Sequence, residues 1–269
     1  MHGAIVRLDL ETLLVDISDD GYVATVTLNR PAARNAISRQ LAAELLIVCD
    51  ALTEADAVRA VVVTGSGTQA FCAGADLRER HGLTAEERSE HLTLVEGAVE
   101  ALAALPIPTI AAVHGYALAG GTEIAIACDL RVLSRDAVMG LPEVRVGLFP
   151  GAGGAHRLPT IIGMGRAKDL LLTGRHVTAD EALSLGLANR VVDADDVMPT
   201  AQALAVEIAA NAPIAVRLLK QAIHLSTGMD TASARGPVTA LRRELDATDD
   251  YAEGLRAFSE KRKPTFTGR

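Results

Sequence analysis

The chain of 269 residues contains no tryptophan and only 3% aromatic residues, so its interior must be built from Ala, Val, Leu and Ile. Apolar residues make up 49% and charged residues 22%, an ordinary globular balance with ample material for a core. The length allows one large domain or two small ones. Basic residues are the minority, 26 against 34 acidic. The resulting formal charge of −8 argues against nucleic acid or an anionic membrane as partner, although a local basic pocket for an anionic small molecule stays compatible with it. Cysteine is scarce: Cys49, Cys72 and Cys128 have neither an even count nor metal-ligand spacing. They read as buried, reduced thiols rather than a disulfide framework. No uninterrupted apolar run approaches the ~20 residues of a membrane span. The opening "MHGAIVRLDLETLLVDIS" lacks the basic segment and long apolar block of a leader. The expectation is a cytoplasmic protein without a membrane partner. G-x-S-x-G, H-E-x-x-H and clustered Cys and His are all missing, which removes the serine-hydrolase elbow and a catalytic metal.

What is present alternates. "LLVDIS" and "YVATVTLN" flank Asp19-Asp20-Gly21, a hairpin signal between β-branched runs. "RPAARN" breaks the pattern, and Ser38 is placed to cap a helix running to about Ala55. "VRAVVVTG", "PIPTIAAVHG" and "CDLRVLS" are continuous apolar strands covered on both faces, with "AVMG" a short strand after the third. A polar helical stretch runs from Thr84 to about Leu105. Buried strands separated by helices predict an α/β core with right-handed crossovers. From "GAGGAHRLPTIIG" onward the pattern is helical, with long stretches from Asp195, Pro213 and Asp230 and "ANRVVD" as the one strand-like piece. Amphipathic helices such as "PIAVRLLKQAIHLS" leave room for a subunit interface. The expected division is a core over residues 1–195 and a helical region over 196–269.

"VRAVVVTGSGTQA" offers Gly65-x-Gly67-x-x-Ala70 after a strand, matching the dinucleotide fingerprint on paper. The context fails: "FCAG" follows where a helix should open, and no strand ending in an acid lies about twenty positions on. The histidines are scattered. His114 and His156 could line a pocket, but structural roles suit them better; His81 and His91 could shape one, but a solvated helix face suits them better.

Three glycine-rich turns, each read as following a buried strand, stand out: "FCAGADL" at 71–77, "HGYALAGGTE" at 114–123 and "LFPGAGG" at 148–154. Glycine there lets a ligand approach the main chain. The second turn opens a helix, so free N–H groups near Gly120 and Gly121 carry the positive end of its dipole. An N–H at Ala73 could converge on the same point. Two such donors on one carbonyl oxygen form an oxyanion hole, worth roughly 3–4 kcal/mol per donor. Glu123 sits one helical turn after Gly120, against the apolar run Ile124-Ala125-Ile126-Ala127, and Glu143 follows 20 residues later in "MGLPEVRVG". Glu123 either points to solvent or is held in a pocket. Two carboxyls close together in an apolar pocket have their pKa values driven apart, which suits acid–base work on a water and a carbon.

"AFCAGADLRER", "IPTIAAVHGYALAGGTEIAIACDLRV", "GLPEVRVGLFPGAGGAHRLPTIIG" and "AFSEKRKPTFTG" closely resemble the enoyl-CoA hydratase/isomerase family, the crotonases, over nearly the whole chain from about Tyr22. Within it, short-chain and methylglutaconyl-type hydratases look most similar. The resemblance implies a spiral of ββα turns with a helical C-terminal trimerisation region, forming homotrimers or homohexamers. It implies an acyl-CoA thioester substrate, coenzyme A being part of that substrate, and no separate cofactor. Ala73 and Gly120 would be the oxyanion donors. Glu123 would deprotonate the water attacking Cβ, and Glu143 would hold that water and exchange a proton with Cα. Substrate contacts are implied at Ala75, Asp76, Leu77 and Gly121. Lys261 or Lys263 in "EKRKPTF" would lie near the coenzyme A phosphates, unless the segment is simply a solvated basic tail. Both glutamates being present favours a hydratase. The alternatives are an isomerase or other enolate reaction on the same scaffold, and a silent acyl-CoA-binding member. One homologue of the methylglutaconyl type binds RNA through a lysine-rich helix. The corresponding helix here, "SRQLAAELLIVCDALTEADA", has Arg39 as its only basic residue against four acids, so phosphate binding there is unfavourable.

Overall fold

The computed structural model describes residues 8–269; residues 1–7 of the N-terminal stretch read above lie outside them. The expected hairpin forms: β1 (Leu13–Ile17) and β2 (Val23–Leu28) pair antiparallel, Leu13 opposite Leu28 and Ile17 opposite Ala24. Gly21 turns the chain at φ 80°. Helix α1 (Arg39–Thr53) starts where Ser38 Oγ accepts the Leu41 N–H at 3.1 Å. The all-buried β3 (Ala60–Gly65) then adds parallel to β2.

From here each turn of a spiral lays one strand in each of two sheets and returns through helix. After β3 come β4 (Ala70–Cys72), α2 (Leu77–His81) and α3 (Ala85–Ala104). Next are β5 (Thr109–Val113), β6 (Tyr116–Leu118) and α4 (Gly120–Ala127). The third turn is β7 (Leu130–Ser134), β8 (Val138–Gly140) and α5 (Gly154–Ile162). Helix α6 (Met164–Thr173), β9 (His176–Thr178), α7 (Ala179–Leu185) and β10 (Arg190–Val192) complete the sheets. The larger sheet has the order β1-β2-β3-β5-β7-β10 and the smaller β4-β6-β8-β9. This is the ββα spiral that the resemblance implied.

The sequence reading differs from the structure in three places. "FCAGADL" and "HGYALAGGTE" are not wholly turns, because β4 takes in the first two residues of one and β6 the third to fifth of the other. The third glycine turn does not follow a strand directly; a 3-10 turn, Pro142–Val146, lies between β8 and it. Strand β9 carries a single buried residue, Val177, too little for a pattern to register.

One face of the large sheet packs against α1, α3 and the small sheet, with Phe71, Leu45, Leu102 and Ile124 in the main core cluster. The other face, Val23, Ala60, Val62, Ile110, Ala112 and Val132, is closed by α8 (Val197–Ala209) through Ala201, Leu204 and Ala205. A helix from beyond residue 195 therefore seals the sheet. Helices α9 (Pro213–Ser226), α10 (Thr231–Glu244) and α11 (Asp249–Glu260) follow, and α9 is anchored by buried Lys220, whose Nζ donates to Asp129 Oδ2 at 2.7 Å and Ile107 O at 3.0 Å. The three cysteines are buried free thiols, pushed up to about 12 chiefly by that burial. No single helix among the described residues is long and apolar enough to cross a membrane.

"RPAARN", silent in the sequence, is a structural hook. Arg34 and Asn35 both take left-handed backbone, φ 53° and 54°. Fully buried Asn35 accepts the Arg30 N–H at 3.0 Å and donates to Ser66 O at 3.0 Å and Ala70 O at 2.8 Å. It ties the segment before α1 to the loop between β3 and β4. Asn35→Ala leaves the Arg30 donor and two carbonyls without this partner, and should lower stability by about 2–4 kcal/mol. The midpoint of urea unfolding measures it.

Candidate functional site

The two sheets bring three chain segments to one cavity of about 340 Å³. The turn after β4 contributes Ala75 and Leu77, the start of α4 contributes Gly120 and Glu123, and the 3-10 turn contributes Glu143. These segments touch so closely that side chains are excluded. A β-carbon on Gly121 would stand 2.0 Å from Cys72 O, and one on Gly120 would stand 2.8 Å from Ile37 Cδ1. Ala119, just before α4, holds φ 50° and ψ −124°, a strained conformation for a residue with a β-carbon. It is locked by Ala119 N–H to Gly140 O at 2.8 Å, and Thr122 Oγ1 ties the same helix to Ala117 O at 2.6 Å. The turn aims the Gly120 N–H, at the first position of α4 and without an intrahelical acceptor, into the cavity.

The second donor is not the one expected. The Ala73 N–H donates to Arg34 O at 3.0 Å, so it is already engaged. Gly74, at φ 96°, then swings the chain, and the next N–H, that of Ala75, donates to no acceptor among the described residues. Ala75 N lies 3.7 Å from where a Gly120 β-carbon would be. Ala75 replaces Ala73 as the partner of Gly120.

The two glutamates are inside, with 4% of Glu123 and 7% of Glu143 exposed, which rules out the solvent-facing reading of Glu123. Glu123 Oε1 accepts the Gly154 N–H at 2.9 Å, from the first residue of α5. Burial pushes Glu123 up to about 7; the Gly154 and Ala152 N–H groups pull against that, and the Glu143 charge adds to it. Burial likewise raises Glu143, whose Oε2 is buried with no hydrogen-bond partner among the described residues. A buried carboxylate oxygen without a partner is costly unless a water or ligand meets it. The pocket therefore holds two buried carboxyls with raised pKa values, one oriented by a helix N-terminus and one open to a guest. Apolar side chains complete the lining: Leu92 and Val95 from α3, with the exposed Val146 and Phe149.

Other sequence expectations fare differently. Leu77 lines the cavity. Asp76 does not: its carboxylate caps α2 and pairs with Arg30 at 3.0 Å, and although burial works against ionisation, the Arg30 bond and charge keep it below the usual range. Gly121 packs on the Cys72 carbonyl instead of meeting the cavity. Lys261 and Lys263 are exposed and line none of it, because buried Glu253 and Asp250 hold the tail against α11. Glu253 takes Arg262 at 2.6 Å and the Thr265 N–H at 2.9 Å, and Asp250 takes the Thr267 and Gly268 N–H groups at 2.7 and 2.8 Å. Neither His81 nor His91 lines the cavity; His91 is fully buried with both ring nitrogens unpaired, and desolvation depresses its pKa. Ala70 opens β4 rather than a helix, so the dinucleotide motif is absent in three dimensions too. Among the described residues, no three His, Cys, Asp or Glu are placed to hold a metal.

The sequence profile of the enoyl-CoA hydratase/isomerase family matches residues 19–269. The short-chain-enoyl-CoA hydratase of Clostridium acetobutylicum is 41% identical over 249 residues, 93% of this chain and 95% of that protein. Methylglutaconyl-CoA hydratase 1 of Pyricularia oryzae is 36% identical, over 93% of this chain and 84% of its own. The crystal structure of an enoyl-CoA hydratase from Bacillus anthracis superposes with a TM-score of 0.94 at 40% identity, covering 96% of this chain and all of that one.

The raised Glu123 pKa has a consequence for stability. The native state favours the protonated carboxyl, so its contribution is fully present below the ordinary value of 4.5 and is lost as pH rises to and through about 7. Glu123→Gln stays neutral throughout. It should match the parent near pH 4 and exceed it at pH 8 by on the order of 2–3 kcal/mol, read from unfolding curves at the two pH values.

Proposed function

The chain belongs to the enoyl-CoA hydratase/isomerase family, and from that premise we propose that its cavity adds water reversibly across the double bond of a 2-enoyl-CoA thioester. The observation that carries the reading is the unpartnered, buried Glu143 Oε2 beside a second buried carboxyl that is itself held near neutral pKa. The thioester oxygen accepts the Ala75 and Gly120 N–H groups, which stabilise the charge that gathers there as the enolate forms. Water is held between the glutamates. Ionised Glu123 takes one of its protons as the oxygen bonds Cβ; the alkene π electrons shift toward the carbonyl; protonated Glu143 delivers a proton to Cα. The second carboxyl therefore starts as the acid and the first as the base. Burial supports a pair that carries a single proton, because one negative charge in the pocket is far less costly than two, and the reaction draws on the form with that proton on Glu143. An isomerase needs one base moving one proton, and leaves the second carboxyl without a task.

Exposed apolar side chains on α9 and α11, Leu219, Ile223, Leu255 and Phe258, support self-association through the C-terminal helices as a homotrimer or homohexamer.

Glu123→Gln and Glu143→Gln should each lower kcat on crotonyl-CoA by about 10²–10⁴-fold while the protein stays folded. Activity in the parent should fall on the acid side as the glutamate pair takes up a second proton, and on the alkaline side as it loses its single proton. Near-normal turnover in both variants sinks the mechanism, and conversion of 3-enoyl but not 2-enoyl thioesters assigns the site to isomerisation.

A further inference from the structure

Ile37 meets both halves of the donor pair without lining the cavity itself. Its main chain forms an isolated parallel bridge with Ala75: the Ile37 N–H donates to Gly74 O at 2.8 Å, and Ile37 O accepts the Asp76 N–H at 2.9 Å. In such a bridge the central residue of the facing segment turns its own N–H to the opposite side. The bridge therefore leaves the Ala75 N–H unpaired and directed away from Ile37. The side chain reaches the other donor. Ile37 Cδ1 stands 2.8 Å from where a β-carbon on Gly120 would be, and the next atoms to that point, Gly74 Cα and Ala75 N, are 3.6 and 3.7 Å away. Ile37 is 2% exposed and belongs to the main core cluster, so packed side chains back the contact. The flanking residues hold it in place. Asn35 hooks onto Ser66 O and Ala70 O, Ala36 O accepts Arg30 Nη1 at 2.6 Å, Arg30 Nη2 pairs with Asp76, and Ser38 caps α1. A β-branched side chain is stiff at χ1, so a fixed main chain carries through toward Cδ1.

We infer that Ile37 is the positioning residue of the donor pair: its main chain aims the Ala75 N–H, and its side chain sets how far the start of α4 stands from that N–H. The inference rests on the reading of these two N–H groups as the seat of the thioester oxygen. Core filling alone would use the side chain and leave the main chain free to pair anywhere. Here the main chain and the side-chain tip of one residue each meet a different donor, so a shift at Ile37 alters the spacing of the pair.

The carbonyl stretch of a bound, unreactive thioester tests this without relying on turnover. Butyryl-CoA labelled with carbon-13 at the carbonyl should show its infrared band shifted to lower frequency on binding to the whole protein, as two N–H donors polarise the bond. Ile37→Ala should lose most of that shift. It should also lower kcat on crotonyl-CoA by about tenfold to a hundredfold, with KM little changed. Leu45→Ala, a truncation in the same core with no part in the bridge, should leave band and kcat as in the parent. Where Ile37→Ala does not fold, Ile37→Val, which lacks only Cδ1, should show a smaller loss in the same direction. A full shift and full kcat in the Ile37 variants overturn the inference, as does an equal loss in Leu45→Ala, which would mark a general softening of the core. A parent that shows no shift on binding would sink the oxyanion reading and this inference with it. A shift that relaxes in Ile37→Ala, with no hydration of any 2-enoyl thioester by the parent, would sink only the proposed reaction.

Discussion

The pocket depends on how closely the turn after β4 approaches the start of α4. A β-carbon on Gly74 would stand 2.8 Å from Ala119 Cβ, and one on Gly121 2.0 Å from Cys72 O. At that separation two main-chain N–H groups from distant parts of the sequence can meet one atom. The approach is held from outside the pocket. Asn35 and Arg34 hook the segment before α1 onto the β3–β4 loop and the Ala73 N–H, while Thr122 ties α4 to β6. The donors are thus pre-aimed by packing and need no rearrangement when charge develops on a bound carbonyl.

That constraint explains which parts of the site were legible in the sequence. Gly120 could be read because a glycine pair opening a helix leaves its first N–H groups free whatever packs around them. Glu123 and Glu143 could be read because carboxylates in apolar surroundings, one helix turn and one strand reversal from that glycine, are chemically conspicuous. The choice between Ala73 and Ala75 could not. In extended chain the two N–H groups point the same way, and only the positive φ of Gly74, 96°, separates them. Asp76, a substrate contact by resemblance alone, is held instead by Arg30, a partner 46 residues away that local sequence does not announce. Asn35 gave no signal beyond a broken pattern, since two of its bonds reach main-chain carbonyls 31 and 35 residues away.

Legibility in the fold followed the same division. Strands β3, β5 and β7 are buried on both faces and show as unbroken apolar runs. Strands β4, β6, β8 and β9, three residues each, are too short to display a period. Yet the small sheet they make carries the site, because its strand ends feed the turn after β4, the start of α4 and the turn bearing Glu143. The elements with the weakest local signal are those placed by tertiary contacts, and they are also where geometry must be most exact in its aim.

The electrostatics of the pocket then work against the fold. The two buried carboxyls, both with raised pKa values, lower stability in the empty protein. The fold tolerates them because the surrounding scaffold is over-determined: aliphatic strands on both faces of the large sheet, α8 sealing it, and Lys220 anchoring α9 through Asp129. A guest in the pocket would meet the unpartnered Glu143 Oε2 and the free Ala75 and Gly120 N–H groups together. Relief of those penalties by one ligand would concentrate binding energy at the atoms those groups meet. A site built this way discriminates by what the ligand completes rather than by what it fills.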